Sequence, residues 1–186
     1  FILLTGSSRG IGAAAYETLY SRGCSVIGHQ TSPGDEDFIP ADFRDPMAAQ
    51  ALWEAALARS GGRIDVLINN AGVLKIAATK TEAGHDVRFM VNTFAPYALT
   101  RVRLPIIPKD GRVVNLSSAA QAPIDLAAMR GEKQLGDNEA YAQSKLAITI
   151  WTRELAKELP DGPVVVAVNP GSLLASKMVK EGYGIA

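Results

Sequence analysis

The chain has 186 residues, 47% of them hydrophobic, with 19 basic and 19 acidic side chains. That size describes one globular domain with a sizeable core, and a formal charge of zero leaves no basic face to attract a nucleic-acid backbone. No run approaches the ~20 apolar residues of a membrane span, no basic region precedes Phe1, and the single cysteine, Cys24, excludes an internal disulfide, so the expectation is a cytoplasmic protein with small-molecule partners and no membrane contact.

In chain order, short branched apolar runs at 1–5, 25–29, 38–39, 64–69, 112–116 and 164–168 read as strands buried on both faces, too short for helices and lacking the alternation of a half-exposed strand. Between the first two, Ile11, Ala15 and Leu19 recur at helical spacing. Asp45 and Pro46 read as the cap and first position of a second helix that Gly61 ends. A longer helix is expected over about 81–103, bent by Pro96 and stopped by Pro105. The last begins after Asp137 and Asn138 and runs to Leu159, before Pro160, Asp161 and Gly162 break it. Strands alternating with helices predict an α/β fold, a doubly wound parallel sheet with helices on both faces, Rossmann-like and three-layered. Ligands of such sheets bind beyond the carboxyl ends of the strands.

The first such end carries Gly6-Ser7-Ser8-Arg9-Gly10-Ile11-Gly12. A helix start offers unpaired amides and a positive dipole to a phosphate, and glycines clear its approach; a plain tight turn explains the same residues. Gly6, Ser8 and Gly10 also satisfy the Gly-x-Ser-x-Gly pattern of a hydrolase elbow, for which His85 is the base available in the right order. His29 and His85 otherwise read as a strand-end residue and an exposed helix residue, and neither belongs to a metal-ligand cluster.

The second strand ends Val26-Ile27-Gly28-His29-Gln30-Thr31 with no acid before Asp35. An acid there usually accepts from the ribose hydroxyls of NAD, so its absence, together with Arg9, favours NADP, with NAD the alternative. Asp42 stands at the next strand's end, placed to accept from an adenine amino group or to cap a helix. Tyr141 and Lys145 fall at i and i+4 on one helix face, where an ammonium favours phenolate. Ser117 and Ser118 end another strand, where a hydroxyl can polarise a carbonyl or cap the turn. Asn69-Asn70-Ala71-Gly72 ends a fourth and is suited to lie against a ribose.

Thr5-Gly6-x-x-x-Gly10-x-Gly12, Asn69-Asn70-Ala71-Gly72, Asn115-Leu116-Ser117-Ser118, Tyr141-x-x-x-Lys145 and Asn169-Pro170-Gly171 stand in the order of the short-chain dehydrogenase/reductase family, and the chain resembles that family over nearly its whole length. The resemblance implies hydride transfer between a nicotinamide cofactor and a carbonyl or secondary alcohol. In it Tyr141 is the general acid/base, Lys145 binds the ribose and lowers the tyrosine pKa, Ser118 polarises the substrate, and Asn92 holds a water in the proton relay. It also implies cofactor contacts from Gly6, Ser8, Arg9, Gly10, Ile11 and Gly12 in the turn, from Thr31, Asp42 and Phe43, and from Asn70, Ala71 and Gly72. Pro170, Gly171, Leu173 and Ser176 would complete them, Ser176 standing one position late for the usual threonine. A sensor that binds NADP without turnover is the non-catalytic alternative.

Ser118 and Tyr141 lie 23 residues apart, a longer gap than usual, which implies an insertion over 121–137 beside the substrate. The insertion, Ser144-Lys145-Leu146-Ala147 and Thr152-Arg153-Glu154-Leu155-Ala156 look like the retinol-dehydrogenase and carbonyl-reductase branch. The whole chain, 1–186, reads as a single dinucleotide-binding and catalytic domain without the family's final strand and substrate lid. Members commonly pair their long helices into homodimers or homotetramers, with Phe94, Tyr97 and Trp151 supplying either an apolar face or ordinary core.

Overall fold

In the computed structural model, residues 1–171 are described. Leu3 is fully buried and sits in register with Ile27 on one side and Leu67 on the other; Leu67 is in register with Val113, and Val113 with Val165. Residues that pair across a parallel sheet point to the same face, so these five make one apolar row across five strands. The strands are β1 (Ile2–Leu4), β2 (Val26–Gln30), β3 (Phe38–Pro40), β4 (Val66–Asn69), β5 (Arg112–Leu116) and β6 (Val164–Val168), all parallel in the order β3-β2-β1-β4-β5-β6. The order reverses between β1 and β4, and the crevice for a ligand opens at that switch point.

Onto the row pack Leu52, Trp53 and Ala56 of α2 (Ala48–Ser60), Ala95 and Leu99 of α4 (Ala95–Arg103), and Leu155 of α6 (Asp137–Glu158). Trp53 is fully buried and its Nε1 donates to the Leu99 carbonyl at 2.6 Å, which ties α2 to α4 without leaving the indole polar atom unpaired. The opposite face carries the next register row, in which Gly28 pairs with Leu4 and Phe38, and Tyr16 of α1 (Gly10–Ser21) lies against Phe38 with ring centres 5.1 Å apart. Helices thus cover both faces, as the alternation of elements requires.

Three expectations change. Strand β6 is not buried on both faces: Val165 packs into the core with Leu155 of α6, while Val164, Val166 and Val168, which alternate onto the other face, are exposed. The long helix begins at Val87 rather than near Thr81, since the Asp86 carboxylate accepts from the Arg88 amide at 2.8 Å and caps it there. It runs from α3 (Val87–Phe89) through a π-helical turn at Met90–Phe94 into α4; Pro96 has no N–H to offer the Asn92 carbonyl four residues back, and the wider turn sits at that interruption. Helix α2 starts at Ala48, two residues beyond Pro46, with the Asp45 carboxylate accepting from the Met47 amide at 2.8 Å, and Gly61 ends it as expected.

The segment 121–137 folds into a short helix, α5 (Leu126–Met129), capped by Asp125. Its Ala128 is buried with Phe89, Leu135 and Ala140 in a second cluster, joined by Phe94 and Met129. No helix among the described residues is long and apolar enough to cross a membrane.

Candidate active site

The carboxyl ends of β1, β4 and β5 and the start of α6 supply the side chains. Gly6 follows β1 with φ +65°, and a Cβ there would lie 2.7 Å from the Ala71 Cα; a Cβ on Gly12 would lie 2.0 Å from the Gly6 carbonyl oxygen. Only glycine permits both the left-handed bend and these backbone approaches. Thr5 Oγ1 accepts from the amides of Asn70 and Ala71 at 3.0 Å each, and the Asn70 Nδ2 donates to the carbonyls of Thr5 and Gly6 at 3.0 Å each. The Asn70 Nδ2 thus holds the turn. Ser8, Arg9, Gly10 and Ile11 are exposed above the turn, and no side chain caps the α1 amides behind it.

Beneath the turn lies His29, a residue read from the sequence only as a strand end. Its Nδ1 accepts from the Gly6 amide at 2.9 Å and its Nε2 donates to the Ala41 carbonyl at 2.8 Å. Ser7 Oγ accepts from the His29 amide at 2.7 Å and donates to its carbonyl at 3.1 Å. The signal that would have found it is a titratable group inside an apolar run. Both its ring nitrogens are committed, and His85 precedes the helix that was expected to contain it, half-buried with an unpartnered Nδ1. This arrangement supplies no base for Ser8, and the hydrolase reading falls.

At the end of β2, the Gln30 Nε2 donates to the Asp35 carbonyl at 2.9 Å, and the Asp35 carboxylate accepts from the Asp37 amide at 2.9 Å. Thr31 is exposed beside them. Asp42 grips Arg44 through both carboxylate oxygens, and that contact holds its pKa below the usual value; Phe43 is buried and stacks on His29. A cleft of about 840 Å³ opens beside Asp42 over Met90 and Phe94, lined also by Lys80 and His85.

Lys145 is buried, its Nζ donating to the Leu116 carbonyl at 2.7 Å and lying 5.8 Å from the centre of the Tyr141 ring. Burial brings its pKa down to about 8. A Cβ on Gly72 would stand 3.5 Å from this Nζ, so Gly72 closes the other side. Ser117 turns into α6, its hydroxyl 2.7 Å from Thr149 Oγ1 and 3.2 Å from the Lys145 carbonyl. Ser118 is half-buried and its Oγ accepts from the Ala120 amide at 3.1 Å, so the second serine of the pair keeps its own proton to donate.

Asn92 is fully buried: Oδ1 accepts from the Val73 amide at 2.8 Å, and Nδ2 donates to the Val73 carbonyl at 2.9 Å and to Ser144 Oγ at 3.0 Å. Ser144 in turn donates to the Tyr141 carbonyl at 2.7 Å. The Asn92 side chain thus braces the first turn of α6, and its hydrogen-bonding groups are already occupied within the protein. A second buried chain, unread from the sequence, runs from Asn69 Nδ2 to Asn115 Oδ1 at 2.7 Å and from Asn115 Nδ2 to Thr152 Oγ1 at 2.9 Å. Pro170 and Gly171 follow β6, while Leu173 and Ser176 lie outside the described residues.

The family model for short chain dehydrogenases matches residues 1–183. The chain belongs to the short-chain dehydrogenase family. It is 32% identical over 203 residues to retinol dehydrogenase 12 of Bos taurus, covering 98% of this chain and 64% of that protein. The chain thus spans about two thirds of that relative's length. A metagenomic short-chain oxidoreductase solved in complex with NADP superposes with a TM-score of 0.72 at 32% identity, covering 92% of this chain and 81% of the other. An oxidoreductase of the same family from Brucella ovis, solved with a partially ordered NAD, gives a TM-score of 0.69 at 29% identity, covering 93% and 83%.

Proposed function

We propose that the chain is the dinucleotide-binding and catalytic part of an oxidoreductase that moves hydride between a nicotinamide cofactor, NADP in preference to NAD, and the carbonyl or secondary-alcohol carbon of a small molecule. The observation that carries this reading is the buried Lys145 ammonium, anchored on the Leu116 carbonyl and close to the Tyr141 ring. The glycine turn fits a dinucleotide: Gly6 and Gly12 leave no Cβ in the cradle, and the α1 amides are uncapped. When bound, the nicotinamide supplies the hydride acceptor or donor.

The chain's own residues do the rest. Ser118 donates to the substrate oxygen. The Tyr141 hydroxyl gives its proton to that oxygen in reduction and takes it back in oxidation. The Lys145 charge favours phenolate, drawing the tyrosine pKa down from about 10 toward working pH. Asn92 fixes the turn that carries Tyr141, through Ser144, whose hydroxyl joins the Asn92 side chain to the Tyr141 carbonyl. Asp42 accepts from the adenine amino group, with Phe43 and Ala71 beside it.

Preference for NADP rests on Arg9, exposed at the cap of α1, and on Gln30 and Thr31 at the end of β2 where NAD enzymes carry an acid. The same reading pairs two copies through α4 and α6, where Tyr97, Val102 and Ile150 are exposed. The test is a panel of alcohols and carbonyls followed at the nicotinamide absorbance, with retinol included because of the similarity to retinol dehydrogenase 12. Full turnover by Tyr141→Phe on a substrate the parent accepts would overturn the mechanism, and tighter binding of NADH than NADPH would overturn the cofactor choice.

A further inference from the structure

His29 is 1% exposed, yet it is tied to three separate pieces of the phosphate turn and its surroundings. Its Nδ1 accepts from the Gly6 amide, its Nε2 donates to the Ala41 carbonyl just ahead of Asp42, and its backbone exchanges two hydrogen bonds with Ser7. The Phe43 ring covers it at 4.6 Å between centres, only 14° from parallel. An amide can donate only to a ring nitrogen that carries no proton, so this geometry admits one form of the side chain: neutral, protonated at Nε2.

We propose that His29 is a positioning residue for the cofactor, a neutral strut that shapes the glycine turn for a pyrophosphate and joins it to the Asp42 end of the site, so that protonating its Nδ1 releases the Gly6 amide and weakens dinucleotide binding. The inference rests on the proposed function, because it takes the glycine turn as the place where the dinucleotide's phosphates lie.

The charges around His29 bear on the direction. Burial disfavours the cation, while the Ala41 carbonyl and the Asp42 carboxylate favour it; burial is the largest influence, and the pKa lies below its ordinary value. Asp42 is itself held by Arg44, which reduces its pull. The remaining histidine, His85, lines the cleft beside Asp42. A bound pyrophosphate would favour the cation, so tighter binding in acid is the outcome opposite to the one expected here.

The experiment measures NADPH and NADH affinity of the parent, His29→Asn and His29→Phe between about pH 5 and pH 8, with the imidazole nitrogen resonances of the parent followed over the same range. Asparagine places an amide oxygen at the position of Nδ1 and does not titrate, whereas phenylalanine fills the space and offers no acceptor. The expected result is binding by the parent that weakens in step with the protonation its imidazole resonances report, reaching about tenfold when protonation is complete, as one lost hydrogen bond implies, with a flat profile for His29→Asn and weak binding by His29→Phe throughout. The NADPH 2′-phosphate also titrates near pH 6, so the difference between parent and asparagine variant is the readout, and NADH gives it without that phosphate. A parent profile that parallels His29→Asn, binding that tightens in acid, or parent-like affinity in His29→Phe would each overturn the proposal and leave the cofactor reading standing. Absence of binding by the parent to either dinucleotide at every pH would overturn both. Should His29→Phe fail to fold, the parent and asparagine profiles and the resonance of Nδ1 still decide.

Discussion

The Lys145 ammonium donates to the Leu116 carbonyl at 2.7 Å and stands 5.8 Å from the centre of the Tyr141 ring, so a cation from α6 is clamped onto the end of β5. Burying it has a cost. Its pKa falls from 10.5 to about 8, equivalent to about 3 kcal/mol against the charged folded state. That penalty is complete below about pH 8 and is relieved as pH rises to 10.5, because the folded lysine sheds its proton before the unfolded one does. Lys145→Met is therefore expected to abolish turnover yet melt a few degrees higher at neutral pH, and to lack the rise in stability that the parent shows between those two pH values. Denaturant titrations of both proteins across the range check it. A variant less stable than the parent at neutral pH would sink the argument.

Turnover follows the same group in the other direction. On the proposed mechanism, as pH passes upward through about 8 Lys145 loses the charge that would support the tyrosine phenolate needed as base in alcohol oxidation. A fall in kcat above that pH is expected in the parent, and a loss of about a thousandfold in Tyr141→Phe with cofactor affinity kept.

The two serines at the end of β5 separate by role. On the proposed mechanism, Ser118→Ala is expected to lower kcat by about a hundredfold with little change in stability, since the only bond its hydroxyl is seen to make within the described residues is one accepted from the neighbouring Ala120 amide. Ser117→Ala removes the hydroxyl seated between Thr149 and the Lys145 carbonyl, costing about 1 kcal/mol of stability. Steady-state kinetics and urea melts on both variants check the split. Equal loss of kcat in the two would contradict it.

Arg88 is fully buried between Asp86, which it grips through two pairs of atoms, and Asp137 at the start of α6. Removing the guanidinium in Arg88→Ala strands the Asp86 carboxylate in the interior, at an expected cost of about 3–5 kcal/mol. Joint replacement with Asp86→Asn is expected to recover part of it, because the stranded charge is gone. A double-mutant cycle on unfolding free energy measures the coupling.

The backbone contacts of Gly12 predict a further difference. A Cβ at Gly12 meets the Gly6 carbonyl oxygen at 2.0 Å, whereas one at Gly10 meets nothing within 4 Å and is opposed only by its φ of +59°. Gly12→Ala is expected to abolish dinucleotide binding by displacing the turn, and Gly10→Ala to cost about 1–2 kcal/mol while retaining binding. Fluorescence titration with NADPH and thermal melts distinguish them.

The sequence by itself determined the alternation of elements, the parallel sheet, the position of the glycine turn and the pair of residues one helical turn apart in α6. These follow from local chemistry: strand length, helix period, glycine spacing and the i to i+4 geometry of Tyr141 and Lys145. The tertiary structure decided which polar groups meet. Nothing local to His29 says that its ring will find the Gly6 amide, 23 residues earlier in the chain, or that Asn70 will be used on the turn and Asn92 on Val73 and Ser144. The helix start at Val87 and the exposed face of β6 escaped for the same reason. The cap at Asp86 competed with a periodic pattern that extended beyond it, and burial of a strand face depends on what packs above it. Partners brought together by sheet register and helix packing are set by the fold as a whole, because each buried donor must find an acceptor wherever the chain has put one.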